Sequence, residues 1–145
     1  MTVERIETRA TAHPLHGLLL SFPIALFTSA VVSDIAFLKT SEIQWTNFSQ
    51  WLISGGLVFG GLVIAWALIT LIVHLRAPSR GRRLVYLGVI VAMWIVGFVN
   101  AFKHSQDGWS SVGAFGVTLS VITAVLALIA GVIAFSGYTS REVVR

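Results

Sequence analysis

The sequence predicts an all-α integral membrane protein, a four-helix bundle of antiparallel up-down topology with both termini in the cytoplasm. Three observations carry that prediction. Of its 145 residues, 56% are hydrophobic and only 11% are charged, against roughly 25% charged in an ordinary soluble domain, and the mean hydropathy is +0.86. Four apolar stretches, 15–38, 51–75, 84–102 and 112–135, reach the length of about 20 residues needed to cross a bilayer. The basic residues are sorted by loop: Arg5 and Arg9 precede the first stretch, Arg76, Arg80, Arg82 and Arg83 lie between the second and third, and Arg141 and Arg145 follow the fourth. The other two loops hold only Lys39 and Lys103. The positive-inside rule therefore puts both ends of the chain in the cytoplasm. The same sorting explains the net charge of +4 and the pI near 10.4 without a basic patch, so nucleic acid is not expected as a partner.

In domain terms, residues 1–12 read as a cytoplasmic tail, 13–137 as one transmembrane domain and 138–145 as a second tail. The first span opens with HPLHGLLLSFPIAL, residues 13–26. Its apolar run is too long for a secretory signal, whose core is about 7–15 residues, and it ends in Asp34 rather than a cleavage site, so it is read as a retained helix. Pro23 lacks an N–H, which frees the carbonyl of Leu19 and bends the helix there. TSEIQWTNFSQ, residues 40–50, reads as a loop with at most a short interfacial segment, because Trp45 and Phe48 are spaced to dip into the headgroups. Trp45, Trp51 and Trp109 fall at the outer interface, Tyr86 and Tyr138 at the inner one. RAPSRGRR, residues 76–83, reads as a tight basic turn broken by Pro78 and Gly81.

Residues eighteen apart on a helix point the same way after five turns, and each span carries such a stripe. It comprises His16, Leu20, Pro23, Phe27 and Asp34 in the first, and Gly56, Gly60, Val63, Ala67, Thr70 and His74 in the second. The third offers Tyr86, Val89, Met93, Asn100 and His104. The fourth offers Gly113, Gly116, Ser120, Thr123, Ala127, Gly131 and Tyr138. Small and polar side chains are where membrane helices approach one another, so these faces are expected to line the interior.

Two polar ends result. The cytoplasmic end collects His16, His74, Tyr86 and Tyr138, with His13 one turn further out. The outer end collects Asp34, Asn100, His104 and Asp107. Eighteen helical residues, about 27 Å of rise, separate His16 from Asp34, so the ends are separate sites. At the inner end two readings stand: His13–Pro14 simply starts the helix and His16 bonds a loop carbonyl, or His16 and His74 face one another as ligands to haem b or, with His13, to a divalent metal. At the outer end Asp34 either reaches water or pairs with Lys39 or Lys103, or forms a proton or cation entry point with Asn100 and His104. No cysteine is present, which removes disulfides, thiolate clusters and covalent haem attachment. There is no phosphate loop, nucleophile elbow, HExxH or repeat of 20–50 residues.

HPLHGLLLSFPIALFTSAVVSDIAF, WLISGGLVFGG and NAFKHSQDGWSSVGAFGVTLS resemble a bacterial family of uncharacterised four-helix membrane proteins, a domain of unknown function whose members open with His-Pro-x-His leading into Phe-Pro-Ile. The resemblance spans most of the chain and rests on His13, Pro14, His16, Phe22, Pro23, Ile24 and Asp34, then Asn100, His104, Asp107, Gly108 and Trp109. Where many relatives carry a further histidine this chain has Ser21, and where some carry a polar pair it has Tyr86 and Ile90. The resemblance implies the fold, a membrane address and the company of periplasmic quinoprotein sugar dehydrogenases and cytochromes.

Together these readings give a small inner-membrane protein that is not an enzyme in its own right. The leading expectation is a membrane anchor or partner subunit of a redox system, surrounded by lipid, with a redox or membrane protein partner or further copies of itself, and with any haem or metal at His13, His16 and His74. The alternative is a small transporter or ion-translocating protein using Asp34 and the outer cluster.

Overall fold

The computed structural model describes residues 3–9, 13–106, 112–136 and 138–144. Four helices, α1 (Pro14–Thr40), α2 (Ile43–Val73), α3 (Arg80–His104) and α4 (Ala114–Phe135), are each long and apolar enough to cross a membrane. Before and after them stand two short strands, β1 (Val3–Arg9) and β2 (Tyr138–Val144).

The start of α1 follows from its sequence. The His13 ring accepts a hydrogen bond from the Leu15 amide at 3.3 Å, and Pro14 occupies the first helical position, where its missing N–H costs nothing. The helix runs unbroken through Pro23. It ends at Ser41, whose left-handed backbone (φ 56°) lets its amide reach the Phe37 carbonyl at 2.7 Å. Helix resumes at Ile43, so the connection is only Ser41 and Glu42. The expected loop over 40–50 is thus corrected. Its polar residues belong to the first turns of α2, where Thr46 and Ser49 continue the buried face of Ile53, Gly56 and Gly60.

The second turn also moves. Val73 is the last helical residue of α2 and His74 caps it, and α3 begins at Arg80. Arg80, Arg82 and Arg83 of RAPSRGRR therefore enter the first turn of α3, where the helix dipole disfavours cations. Arg82 reaches away from that end and donates to the Ile133 carbonyl in the last turn of α4, where the dipole favours it.

Helix α1 packs on α2 and α4, and α3 packs on the same two. The result is the expected up-down-up-down square, with α1 and α3 parallel across one diagonal. Its interior is filled in two groups. Phe27, Ala30, Ile53, Met93, Ala124 and Ala127 pack in the half nearer Asp34. Leu20, Val63, Ala67, Ile90 and Ala130 fill the half nearer His16. Glycines set the spacing: a Cβ on Gly56 would lie 2.7 Å from the Phe27 ring, and one on Gly97 would lie 3.3 Å from the same ring. The outer surface is equally apolar, with Val32, Val58, Ile69, Ile72 and Val132 exposed, as lipid as solvent requires.

The segments read as tails contain two strands that pair with one another. β1 and β2 form a two-stranded antiparallel ribbon, in register from Val3 opposite Val144 to Arg9 opposite Tyr138. The ribbon is built from residues outside the four spans and leaves the transmembrane fold all-helical. Pairing brings β1 and β2 together, as an even number of alternating helices allows.

Candidate functional site

The polar interior is concentrated around Asp34, which is 0% exposed. All four helices supply side chains to it. From α2, the Ser49 hydroxyl donates to Asp34 Oδ1 at 2.5 Å. From α4, the Ser120 hydroxyl donates to Oδ2 at 2.5 Å. From α3, His104 Nε2 lies 3.0 Å from Oδ1. Asn100, one turn before His104, donates through Nδ2 to Ser120 Oγ at 2.9 Å. Beside this group, the Ser33 hydroxyl donates to the Trp45 carbonyl at 2.8 Å and ties the α1–α2 hairpin together.

The hydrogen bonds constrain the protons. His104 Nδ1 lies 3.0 Å from the Asn100 carbonyl, and a carbonyl can only accept. Nδ1 therefore carries a proton. One further proton must lie between Nε2 and Asp34 Oδ1, either on the imidazole beside a carboxylate or on the carboxyl beside a neutral ring. In both arrangements the pair is neutral as a unit. That is how an ionisable residue is accommodated in a span, since an unpaired buried charge costs several kcal/mol.

The outer cluster read from the sequence is thus largely assembled: Asp34, Asn100 and His104 meet, while Asp107 lies outside the described residues. The expected partners are corrected. Asp34 is sealed from water and bonded to His104 and two serines rather than to a lysine; Lys39 is exposed and the Lys103 ammonium donates to Gln106 at 2.7 Å. Ser120 was visible on the α4 stripe. Ser49 falls in the segment whose composition predicts a loop, although the spacing Thr46, Ser49, Ile53, Gly56 continues the α2 face backwards through it.

At the other end the histidines separate. His16 is buried, its Nε2 sharing a hydrogen bond of 2.9 Å with the Tyr86 hydroxyl across the α1–α3 diagonal, so the expected loop carbonyl is not its partner. The Trp66 indole stacks on His16 at 5.9 Å and meets His13 at 5.2 Å. His13 serves as the cap of α1. His74 takes no part: it is exposed at the end of α2, with Nδ1 2.9 Å from its own Thr70 carbonyl. The buried face of α2 ends at Leu71, because the helix itself ends two residues later. Among the described residues no three His, Cys, Asp or Glu side chains stand together as metal ligands. Nor do the small residues leave space for a macrocycle. A Cβ on Gly60 would touch Met93 and Trp94 at 3.4 Å, so the glycines let the helices close. The residues present do not fit a haem or a metal held by His13, His16 and His74.

No curated protein and no solved structure matches the chain. The four apolar helices and the residues that build both polar ends fall within residues 12–137, which match the family model described as Predicted membrane protein (DUF2231), and the chain belongs to that family.

Proposed function

We propose that the protein is a small ion-translocating protein of the bacterial inner membrane, with Asp34 and His104 as the pair that carries the proton. The observation that supports this reading is a carboxylate of 0% exposure inside a span, facing an imidazole 3.0 Å away. A clasp between helices needs only neutral hydroxyls and amides, which Ser49, Ser120 and Asn100 already supply. An acid and a base added to them hold a mobile proton, and intramembrane ionisable pairs mark ion paths. The arginine distribution supports both termini in the cytoplasm, and hence the Asp34 end toward the periplasm. The test is reconstitution into liposomes enclosing a pH-sensitive dye. An imposed proton gradient is expected to decay faster than in empty liposomes, and Asp34→Asn to return decay to the empty rate. Decay at the empty rate with the wild-type protein refutes the reading.

A second reading, a membrane anchor or partner subunit of a redox system, is supported by the start of α2. There Trp45, Phe48 and Trp51 are exposed and, with Gln44 and Asn47, line a groove of about 450 Å³. Such a lip of aromatic and amide side chains suits a partner at the membrane surface.

A further inference from the structure

Among the described residues the terminal sheet has two strands, β1 and β2, and so two open edges. The four helices pack chiefly on one another. A two-stranded ribbon alone is marginal in water, and a further strand or a packed face is what makes one stable. Every second residue of β1 turns both its N–H and its C=O away from β2. With no proline in VERIETR, the outer edge of β1 keeps a full row of free donors and acceptors, and such a row pairs with another strand.

We propose that the outer edge of β1 pairs antiparallel with β1 of a second copy of this chain, making a continuous four-stranded sheet in the order β2–β1–β1–β2 that ties two bundles together. The inference is independent of the ion-translocation reading. Charge complementarity identifies the occupant. Pairing of VERIETR with itself about Ile6 overlaps the whole of β1 (Val3–Arg9). It sets Arg5 opposite Glu7 of the second copy, Glu7 opposite Arg5, and Ile6 opposite Ile6. Opposite charges across a strand pair are favourable and like charges are not.

Neighbouring registers are excluded by the same rule. Because outward backbone groups alternate along the strand, the register changes only in steps of two residues. One step in one direction sets Arg5 opposite Arg5. One step in the other sets Glu7 opposite Glu7 and Arg5 opposite Arg9. The edge of β2 offers no equivalent, since full overlap of YTSREVV with itself sets Arg141 opposite Arg141. Within one chain Arg5 lies opposite Glu142, so the joined sheet carries the row Glu142, Arg5, Glu7, alternating in sign. The contact is a closed two-fold one, because the edges left over are both β2.

The chain has no cysteine, so single cysteines in the full-length protein report the pairing. In mild detergent, Ile6→Cys is expected to join two copies through a short thiol cross-linker, as opposite Cβ atoms lie about 4.5–5.5 Å apart. Thr8→Cys is expected to join them several-fold less, because the register separates the two positions by four residues, about 13 Å. Sedimentation supplies a second readout. The wild-type protein is expected to dimerise, and Glu7→Arg to raise the dissociation constant about tenfold, since it sets a like charge against Arg5 of the second copy while its own ribbon offers only Ser140 opposite. Both substitutions lie outside the helices, so the unfolding midpoint of the bundle is expected to hold. A monomer throughout would overturn the proposal. So would a dimer indifferent to Glu7→Arg that cross-links equally at both positions, which would place the contact on the helices, or assemblies larger than two, which would mean that β1 pairs with β2 of the next copy.

Discussion

Replacing Gly56 with alanine places a methyl carbon 2.7 Å from Phe27 Cε1, 2.8 Å from Cζ and 3.0 Å from Cδ1. Carbon atoms attract at about 3.5–4.0 Å, so the ring or helix α2 must give way by roughly 0.8 Å. The ring has little freedom. It is 1% exposed, and its Cζ already sits 3.3 Å from where a Cβ on Gly97 of α3 would be. Overpacking of this kind costs about 1–3 kcal/mol. Alanine also gains up to about 1 kcal/mol of helix propensity, which would mask part of the loss. Gly88 supplies the control, because a Cβ there has nothing within 4 Å and Gly88→Ala reports the propensity gain alone. Unfolding by denaturing detergent is expected to find Gly56→Ala less stable than Gly88→Ala by about 1–3 kcal/mol. Adding Phe27→Leu should restore part of the difference, with a coupling above about 0.5 kcal/mol. Equal stability of the two alanine variants would refute the claim that the Phe27 ring is clamped between α2 and α3.

Gly60→Leu extends a side chain from a position where even a Cβ meets Met93 and Trp94 at 3.4 Å; a lowered unfolding midpoint is expected, and an unchanged one would mean that α2 and α3 can separate freely. Reporter fusions at Ser79 and at the C-terminus should behave as cytoplasmic and one at Glu42 as periplasmic, and a periplasmic signal at Ser79 would reverse the orientation. Asp34→Leu alone should cost about 3–5 kcal/mol by leaving His104 unpaired, while Asp34→Leu with His104→Leu should cost less than the two single changes summed. Additive losses in that cycle would show that the 3.0 Å contact carries no coupling.

The helical stripes were legible because spacing on a helix is set by geometry that no tertiary context alters. His16, Leu20, Pro23, Phe27 and Asp34 are all buried, and Asn100, His104 and Ser120 follow from the same count. What periodicity could not supply was where a helix stops. His74 lies on the extrapolated face of α2 but beyond its last turn, and a face has meaning only while the helix continues. Ser49 failed in the opposite sense. Polar composition argues for a loop, yet Ser49 turns its hydroxyl onto Asp34 and Thr46 is buried with its hydroxyl on the Ile43 carbonyl, so hydrophilicity there marks the inside. The terminal ribbon depends on pairing between opposite ends of the chain, and no local pattern encodes that.

Both diagonal contacts join α1 to α3: His16 to Tyr86 and Asp34 to His104, each pair seventy positions apart in sequence. Because these helices run parallel, a slide of one residue along the axis, about 1.5 Å, would carry both pairs out of hydrogen-bond range together. Apolar surfaces alone resist such shear poorly, since one methyl group packs nearly as well as the next. Two struts about 27 Å apart fix the registry as pins fix a frame. A bundle so braced has little means of shortening by slipping its helices when the surrounding bilayer thins. It must tilt as a whole or draw the lipid to its own height.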